Sequence, residues 1–325
     1  MVGTGKNPLV DKIEPLSLDR VKSASLKDRA SKVCIKDFGN AWRPGDSFTR
    51  WVGSLPKVLA AGDFHEIVDR IFKAAASGKT ILLGMGAHVI KVGLNPIILD
   101  LLNRRLINGV AMNGAGIIHD AEVAMIGKTS EDVAADLGTG RFGMAEETGK
   151  FLNAAISEGA KRGLGLGRSV GEMLVRENFQ YNRYSLLASA FELGIPVTVH
   201  VGIGTDIIHF HPNVDGAAIG QTSHLDFRIF ARLVSTLEKG CFINLGSAVI
   251  LPEVFLKALT LVRNLGYKAR DFTTINMDFI RHYRPMTNVV QRPTLDGGKG
   301  FNIVGHHEIM FPLLAAAVLE RFNEA

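Results

Sequence analysis

Cysteine is nearly missing from this chain: Cys34 and Cys241 are the only two in 325 residues. They lie far apart, and Cys241 sits in an apolar strand-like run, so a disulfide framework is excluded and a reducing, cytoplasmic setting is expected. Long hydrophobic runs are missing too. The longest, Met310 to Leu319, falls well short of the ~18 residues of a membrane span and reads as a core helix. Met1 to Asp11 holds no apolar block of the secretory kind, so no targeting segment is expected. Nor is there a large excess of one charge. The net charge is +5, much of it from Lys6, Lys12, Arg20, Lys22, Lys27 and Arg29 near the start. That stretch has few aromatics and several acids, so it reads as a solvated or subunit-wrapping arm, with neither nucleic acid nor membrane as a partner. The chain also lacks a G-x-G-x-x-G fingerprint, an H-E-x-x-H helix, clustered cysteines, internal repeats and low-complexity tracts.

What is present describes an ordinary globular protein, 46% hydrophobic and 21% charged. Its 35 glycines suit a fold with many tight strand-to-helix turns. Residues 1–62 carry Pro8, Pro15, Pro44 and Pro56 without sustained periodicity and are expected to form an extended arm with short helices. From Asp63 onward a single domain, 63–325, is expected. Phe64, Ile67, Val68, Ile71 and Phe72 follow helical spacing, with Asp63 as the expected N-cap. Strands are predicted at Thr80–Leu83, Ile107–Met112, Ile195–Val201, Cys241–Leu245 and Phe272–Asn276. Between them fall helices opened by Asn95-Pro96, ended by Gly194, running from about Ser223, and opened by Pro252. Alternation of this kind predicts an α/β fold with a doubly wound, mainly parallel sheet. The polar stretch Gly127 to Glu147 is a predicted lid or interface loop.

Three strands end in small-residue turns: Gly84-Met85-Gly86, Asn113-Gly114-Ala115-Gly116 and Gly202-Ile203-Gly204. In an open parallel sheet, ligands sit outside the carboxyl ends of strands, so these turns mark a shared crevice. Seven histidines fall at strand ends or in loops: His88, His119, His200, His209, His211, His306 and His307. Their intrinsic pKa near ~6.5 suits hydrogen bonding or acid–base work. One alternative is a divalent-metal site from Asp206, His209 and His211, because alternate residues of an extended segment face the same way. Lys299, in Asp296-Gly297-Gly298-Lys299-Gly300, would form an imine with a carbonyl substrate if desolvated. Arg281, Arg284 and Arg292 point to an anionic group nearby.

The order of several segments resembles the deoxyhypusine synthase family across roughly Asp63 to Arg321. They are Ile81 to His88, Asn113 to Asp120, Gly194-Ile195-Pro196-Val197 leading to Thr205-Asp206, and Asn244 to Ala248. Arg263-Asn264, Ile275-Asn276, Arg292-Pro293, Gly298-Lys299 and Phe311 to Leu314 follow. The resemblance implies a Rossmann-like fold, NAD as cofactor, and a homotetramer with sites between paired subunits. It also implies oxidation of an amine to an imine, with an aminoalkyl group passed through a lysine. By this resemblance NAD is expected against Gly84, Gly86, His88, Asn113, Gly114, Ala115, Gly246, Ser247 and Asn276. Lys299, His119 and Asp206 are the expected catalytic residues, and Asp120, His211, Arg281, Arg284 and Arg292 the expected substrate contacts.

The chain departs from the family pattern in carrying Ile118-His119-Asp120 in place of paired glutamates and an aspartate. His88 stands for an asparagine, and Pro252-Glu253 occupies the place of a histidine. Phe279 to Arg284 replaces an acidic, serine-rich loop. A polycation needs offsetting carboxylates, so the expected substrate is an anionic amine and not spermidine. A non-redox, nucleotide-binding sensor is the alternative from another class.

Overall fold

The computed structural model describes residues 13–324 and divides the chain into two units after Phe38. Residues 13–38 form only one short helical turn, Ile35–Asp37, closed by the Asp37 carboxylate accepting from the Cys34 N–H at 3.1 Å. The second unit starts at Gly39, so 39–62 belongs with the main unit and not with the arm.

Helices α1 (Phe48–Gly53) and α2 (Leu59–Ala76) lead into β1 (Ile81–Met85), α3 (His88–Lys91), α4 (Asn95–Asn103), β2 (Gly109–Asn113) and α5 (Gly114–Ile126). Four helices follow: α6 (Val133–Leu137), α7 (Glu146–Arg162), α8 (Leu166–Glu177) and α9 (Leu186–Leu193). Then come β3 (Val197–His200), α10 (Gly216–Val234), β4 (Cys241–Leu245), α11 (Ile250–Asn264) and β5 (Thr273–Asp278). A short turn, α12 (Tyr283–Pro285), runs on as a π-helical segment, Met286–Gln291, before β6 (Lys299–Val304) and α13 (His307–Asn323). Among the described residues, no helix is long and apolar enough to cross a membrane.

All six strands are parallel, in the order β3-β2-β1-β4-β5-β6. The chain therefore builds one half outward from β1, returns, and builds the other half from β4. The point of reversal lies between β1 and β4, where doubly wound folds of this order bind ligands. Strand residues alternate between the two faces. Ile81, Leu83 and Met85 join Val110, Met112, Ile243 and Met277 in one core, while Leu82 and Phe242 join Phe230, Phe255 and Phe272 in the other. Both faces are apolar because helices cover both, as a buried parallel sheet requires. On the second face Phe242 stacks on Phe255 with centroids 3.9 Å apart.

Helix α2 buries the predicted stripe Phe64, Ile67, Val68 and Ile71 but begins at Leu59, which places Asp63 inside it. The expected loop at Gly127 to Glu147 contains α6 and ends in the start of α7. Helices α7 and α8 carry no strong strand–helix punctuation in sequence and lie outside the expected elements.

Candidate active site at the carboxyl ends of the strands

Three backbone hydrogen bonds extend the ladder one residue beyond the strands: Gly86 N–H to Leu245 O, Gly246 N–H to Met277 O, and Gly305 N–H to Asp278 O, at 2.9, 2.9 and 3.0 Å. They draw the turns after β1, β4, β5 and β6 together at the point of reversal. The fit is close. A Cβ on Gly86 would lie 2.2 Å from the Gly246 carbonyl oxygen, and one on Gly246 (φ +67°) would lie 2.6 Å from the His307 ring. Glycine is required at both by contact with neighbouring atoms.

His307 opens α13, is 1% exposed, and holds Nε2 3.5 Å from Asp278 Oδ1 at the end of β5. That is beyond a good hydrogen bond, and neither ring nitrogen finds another partner among the described residues. Asp278 Oδ1 accepts the Phe279 N–H at 2.8 Å, and its Oδ2 lies 3.8 Å from His282 Nε2. His88, exposed at the start of α3, has its ring 5.6 Å from His307 and 6.0 Å from Phe279. Partial burial, then repulsion from His307 and Lys91, hold His88 below the usual imidazole range. The neutral ring dominates at pH 7, the form that accepts a proton. Phe279 stacks on His306 at 6.4 Å and stays 46% exposed, which leaves an aromatic surface beside His88 and His307.

A second pair stands at the ends of β2 and β3. The Asp206 carboxylate rests on the start of α5, where Ala115 donates its N–H and a Cβ on Gly114 would lie 2.0 Å from Oδ2. Burial raises its pKa despite His209, Thr205 and that N–H. His209 Nδ1 accepts from the Gly204 and Asp206 N–H groups at 3.0 and 3.3 Å, which assigns the neutral ring's proton to Nε2. Nε2 lies 3.9 Å from Asp206 Oδ2. Both atoms, and Asn113 Oδ1 at the end of β2, are buried without a partner among the described residues. Buried polar atoms in this condition are places where a ligand or water completes the bonding.

Several expected site residues stand elsewhere. Lys299 begins β6, in register with Thr273 at the amino ends of the strands. Its half-exposed ammonium pairs with Glu66 and lies 5.0 Å from the Phe301 ring. Strand rise sets it roughly 17 Å from the carboxyl end of β6. The structure thus separates the expected covalent amine from the expected cofactor turns of the same chain. Gly84 lies inside β1, where a Cβ would meet Phe242 Cζ at 2.8 Å, so its role is packing. Asn276 is fully buried between strands. It accepts from Asn244 at 2.7 Å and donates to Asn302 at 2.8 Å, and Asn244 also donates to the Ser247 carbonyl. This three-strand asparagine ladder braces the turn, and Ser247 Oγ accepts the Leu251 N–H of α11.

Asp120 is fully buried and accepts from Ser185 Oγ, the Leu186 and Leu187 N–H groups and Asn95 Nδ2, which caps α9 and leaves no oxygen for a substrate. His119 Nδ1 bonds Thr129 Oγ1 at 2.7 Å, below the insertion and away from the strand ends. His211 Nε2 donates to the Gly143 carbonyl at 2.9 Å and fastens that insertion. It does not join Asp206 and His209, and among the described residues no three His, Cys, Asp or Glu side chains converge as a metal site would need. Arg281 and Arg284 follow β5 on the carboxyl side, exposed, with Arg284 3.4 Å from Glu253. Arg292 lies past the π-helical segment and donates to Asn288 at 2.9 Å. His307 stands among the seven histidines expected at strand ends or in loops, whereas Asp278 and Phe279 carry no expected role of their own. The alternation of Thr274, Asn276 and Asp278 along one strand was the available signal for Asp278.

No protein-family model matches the chain, and no curated protein matches it in sequence. Solved structures do. AgrE in its ternary complex with ornithine and NAD⁺ is 13% identical over 84% of this chain and 33% of its own, with a TM-score of 0.51. Unliganded AgrE is 15% identical over 80% and 32%, at 0.50. A protein assigned as a deoxyhypusine synthase from Entamoeba histolytica is 13% identical over 87% of this chain and 96% of its own, also at 0.50. The chain spans about a third of the length of the AgrE structures. At these identities the likeness is one of fold: a doubly wound, Rossmann-like α/β architecture.

Proposed function

We propose that this protein is an NAD-binding enzyme that oxidises the amine-bearing carbon of a small substrate to an imine. The observation that carries the proposal is the meeting, at the reversal between β1 and β4, of the Gly86 and Gly246 turns with His88, His307 and Asp278. The ornithine and NAD⁺ bound by the similarly folded AgrE support the same ligand classes.

The residues present fit such a cofactor. Helices α11 and α13, of 15 and 17 residues, begin at the carboxyl edge without a side-chain cap from their N-cap residues, so their positive ends favour a pyrophosphate. Among the described residues Asn113 Oδ1 and Asp206 Oδ2 are unmatched acceptors at the end of β2, where ribose hydroxyls are bound in folds of this order. The cofactor, when bound, supplies the hydride acceptor. His88, neutral and exposed, takes the proton released from the substrate nitrogen as the carbon–nitrogen double bond forms. Buried Asp278 stands 3.5 Å from the inner histidine, His307, while Arg281 and Arg284 offer charge-assisted bonds to a substrate carboxylate or phosphate. Aminoalkyl transfer through Lys299 has no support within one chain, given its place at the opposite end of the sheet.

The proposal includes assembly as a homotetramer with shared sites. Phe279, Ile280, Val304 and Ile309 are 46–62% exposed around the strand ends, an apolar margin suited to burial by a second copy. Light scattering giving the 35.2 kDa mass of one chain at all concentrations would reject that part.

Calorimetric titration with NAD⁺ and NADH tests the core of the reading, followed by amino acids and amines with reduced-nicotinamide absorbance as readout. Binding of either form, weakened by Gly86→Ala, is expected. His88→Gln should lower turnover with binding retained. The absence of heat for both forms at millimolar concentration would defeat the cofactor assignment. Binding without turnover of any amine would favour the nucleotide-sensor reading, which the distance of Lys299 from the crevice already supports.

A further inference from the structure

A cavity of about 810 Å³ opens between α5, the segment that follows it, and α7. Its walls are apolar: Met125 and Ile126 from α5, Phe151 from α7 and Phe179 after α8. The two phenyl rings lie 5.4 Å apart at 70°. One charged group is set into this apolar space. Glu122 is 12% exposed, its Oε1 accepting from Thr148 Oγ1 at 3.2 Å and its Oε2 from Thr129 Oγ1 at 2.5 Å. Because Thr129 donates its proton to Glu122, it must accept one from His119 Nδ1, so the three groups form a directed chain ending on the carboxylate. Burial works against ionisation of Glu122, but the nearby His119 and the hydroxyl bonds from Thr129 and Thr148 outweigh it and hold its pKa below the ordinary carboxylate range. Each oxygen keeps one unspent acceptor position.

We infer that this cavity binds an organic monoammonium ion with an apolar body, its charged head on Glu122 and its body against Phe151 and Phe179. An ammonium group beside a buried carboxylate makes a charge-assisted hydrogen bond, and phenyl faces add cation–π attraction. The rim sets the charge of the ligand. Glu131 and Glu147 favour a cation, whereas Lys128 and Lys150 oppose a second or third positive charge. Glu131 also accepts the Gly143 N–H at 2.9 Å, so one cavity wall is tied to the segment that His211 fastens. The cavity shares no residue with the strand-end group, and the inference does not rest on the cofactor reading.

The test uses the full chain and four probes: phenethylamine, phenethyl alcohol, hydrocinnamate and spermidine, each titrated by calorimetry. Phenethylamine should bind, with the alcohol and the carboxylate each at least about tenfold weaker, a factor equal to about 1.4 kcal/mol. Glu122→Gln should bring the amine down to the level of the alcohol. Ile126→Lys, at an exposed rim position, should weaken the amine and strengthen hydrocinnamate; it serves also if Glu122→Gln does not fold by circular dichroism. Equal binding of amine and alcohol, no amine binding at millimolar concentration, or indifference to both substitutions would each overturn the inference. Tightest binding by spermidine would overturn the monoammonium class.

Discussion

Replacing Asp226 by asparagine should change how stability depends on pH, and the size of the change follows from burial. Asp226 lies on α10 and accepts the N–H groups of Gly167 at 2.9 Å and Val199 at 2.8 Å. Burial pushes its pKa from 3.8 up to about 7, with the backbone donors only partly offsetting it. His200, the neighbour of Val199 on β3, packs on Phe230 at 5.3 Å, and burial pushes it from 6.5 down to about 3. The two groups act in opposite directions. The contribution of Asp226 is fully present below its unfolded pKa of 3.8 and is lost as pH rises through about 7. That of His200 is fully present above 6.5 and is lost as pH falls through about 3.

Each slope has a limiting size of about 1.4 kcal/mol per pH unit, and the windows overlap between about pH 4 and 6.5, so the two nearly cancel in the native protein. Asp226→Asn removes one of them. Its stability relative to the native chain should rise with pH across that window, by roughly 3 kcal/mol over two units. Burial also raises the pKa of Asp120 and Asp206, but they contribute equally to both proteins and drop out of the difference. Urea unfolding at a series of pH values measures it. A difference that stays constant from pH 4 to 7 would show that Asp226 carries no proton in the fold and would refute the reasoning. His200→Gln should give a difference of the opposite slope.

Gly86→Ala places a methyl group 2.2 Å from the Gly246 carbonyl, so the two turns must separate; a loss of about 1–3 kcal/mol of unfolding free energy in urea titration is expected, and unchanged stability would mean that they part freely. Asp120→Ala strands four buried donors at the start of α9 and should cost on the order of 3 kcal/mol. If Asp120 instead served a substrate, folding stability would hold while binding failed. Lys299→Ala removes an exposed ion pair with Glu66 and should cost less than about 1 kcal/mol in thermal unfolding while leaving nicotinamide binding intact. Trapping of a substrate imine on Lys299 by borohydride would reverse that expectation.

The strands were readable because their residues obey two constraints at once: apolar runs short enough for a strand, and small turns closing them. The span expected at Cys241–Leu245 matches to the residue, the other four expected spans agree within a few positions at each end, and β6 has no expected span to compare. Helix starts were less legible. Asp63 has the chemistry of an N-cap, yet α2 starts four residues earlier because packing against the sheet, and not capping, decides its length. Helix α10 likewise begins at Gly216, capped by Asp215 accepting from Ala218 at 3.0 Å, and not near Ser223. Asp120 reads as a functional acid beside His119, and only the tertiary position of α9 turns it into a cap.

The position of Lys299 follows from a rule that residue spacing alone obscures. In a sheet whose strands all run the same way, every residue that follows a strand lies at one end and every residue that starts a strand lies at the other. Gly86, Asn113, Gly246, Asp278 and His307 end or follow strands, and they gather at the carboxyl edge. Lys299 begins its strand, so the same rule sends it to the amino edge, whatever motif surrounds it. The connection from Asp278 to Lys299 must then travel the height of the sheet, and the chain does so through Tyr283–Pro285 and the π-helical segment Met286–Gln291. That climb also separates Arg292 from Arg281, although all three arginines lie within twelve residues of sequence. Strand direction therefore decides which members of a sequence cluster share chemistry, and in this chain it selects the histidine–aspartate group over the lysine.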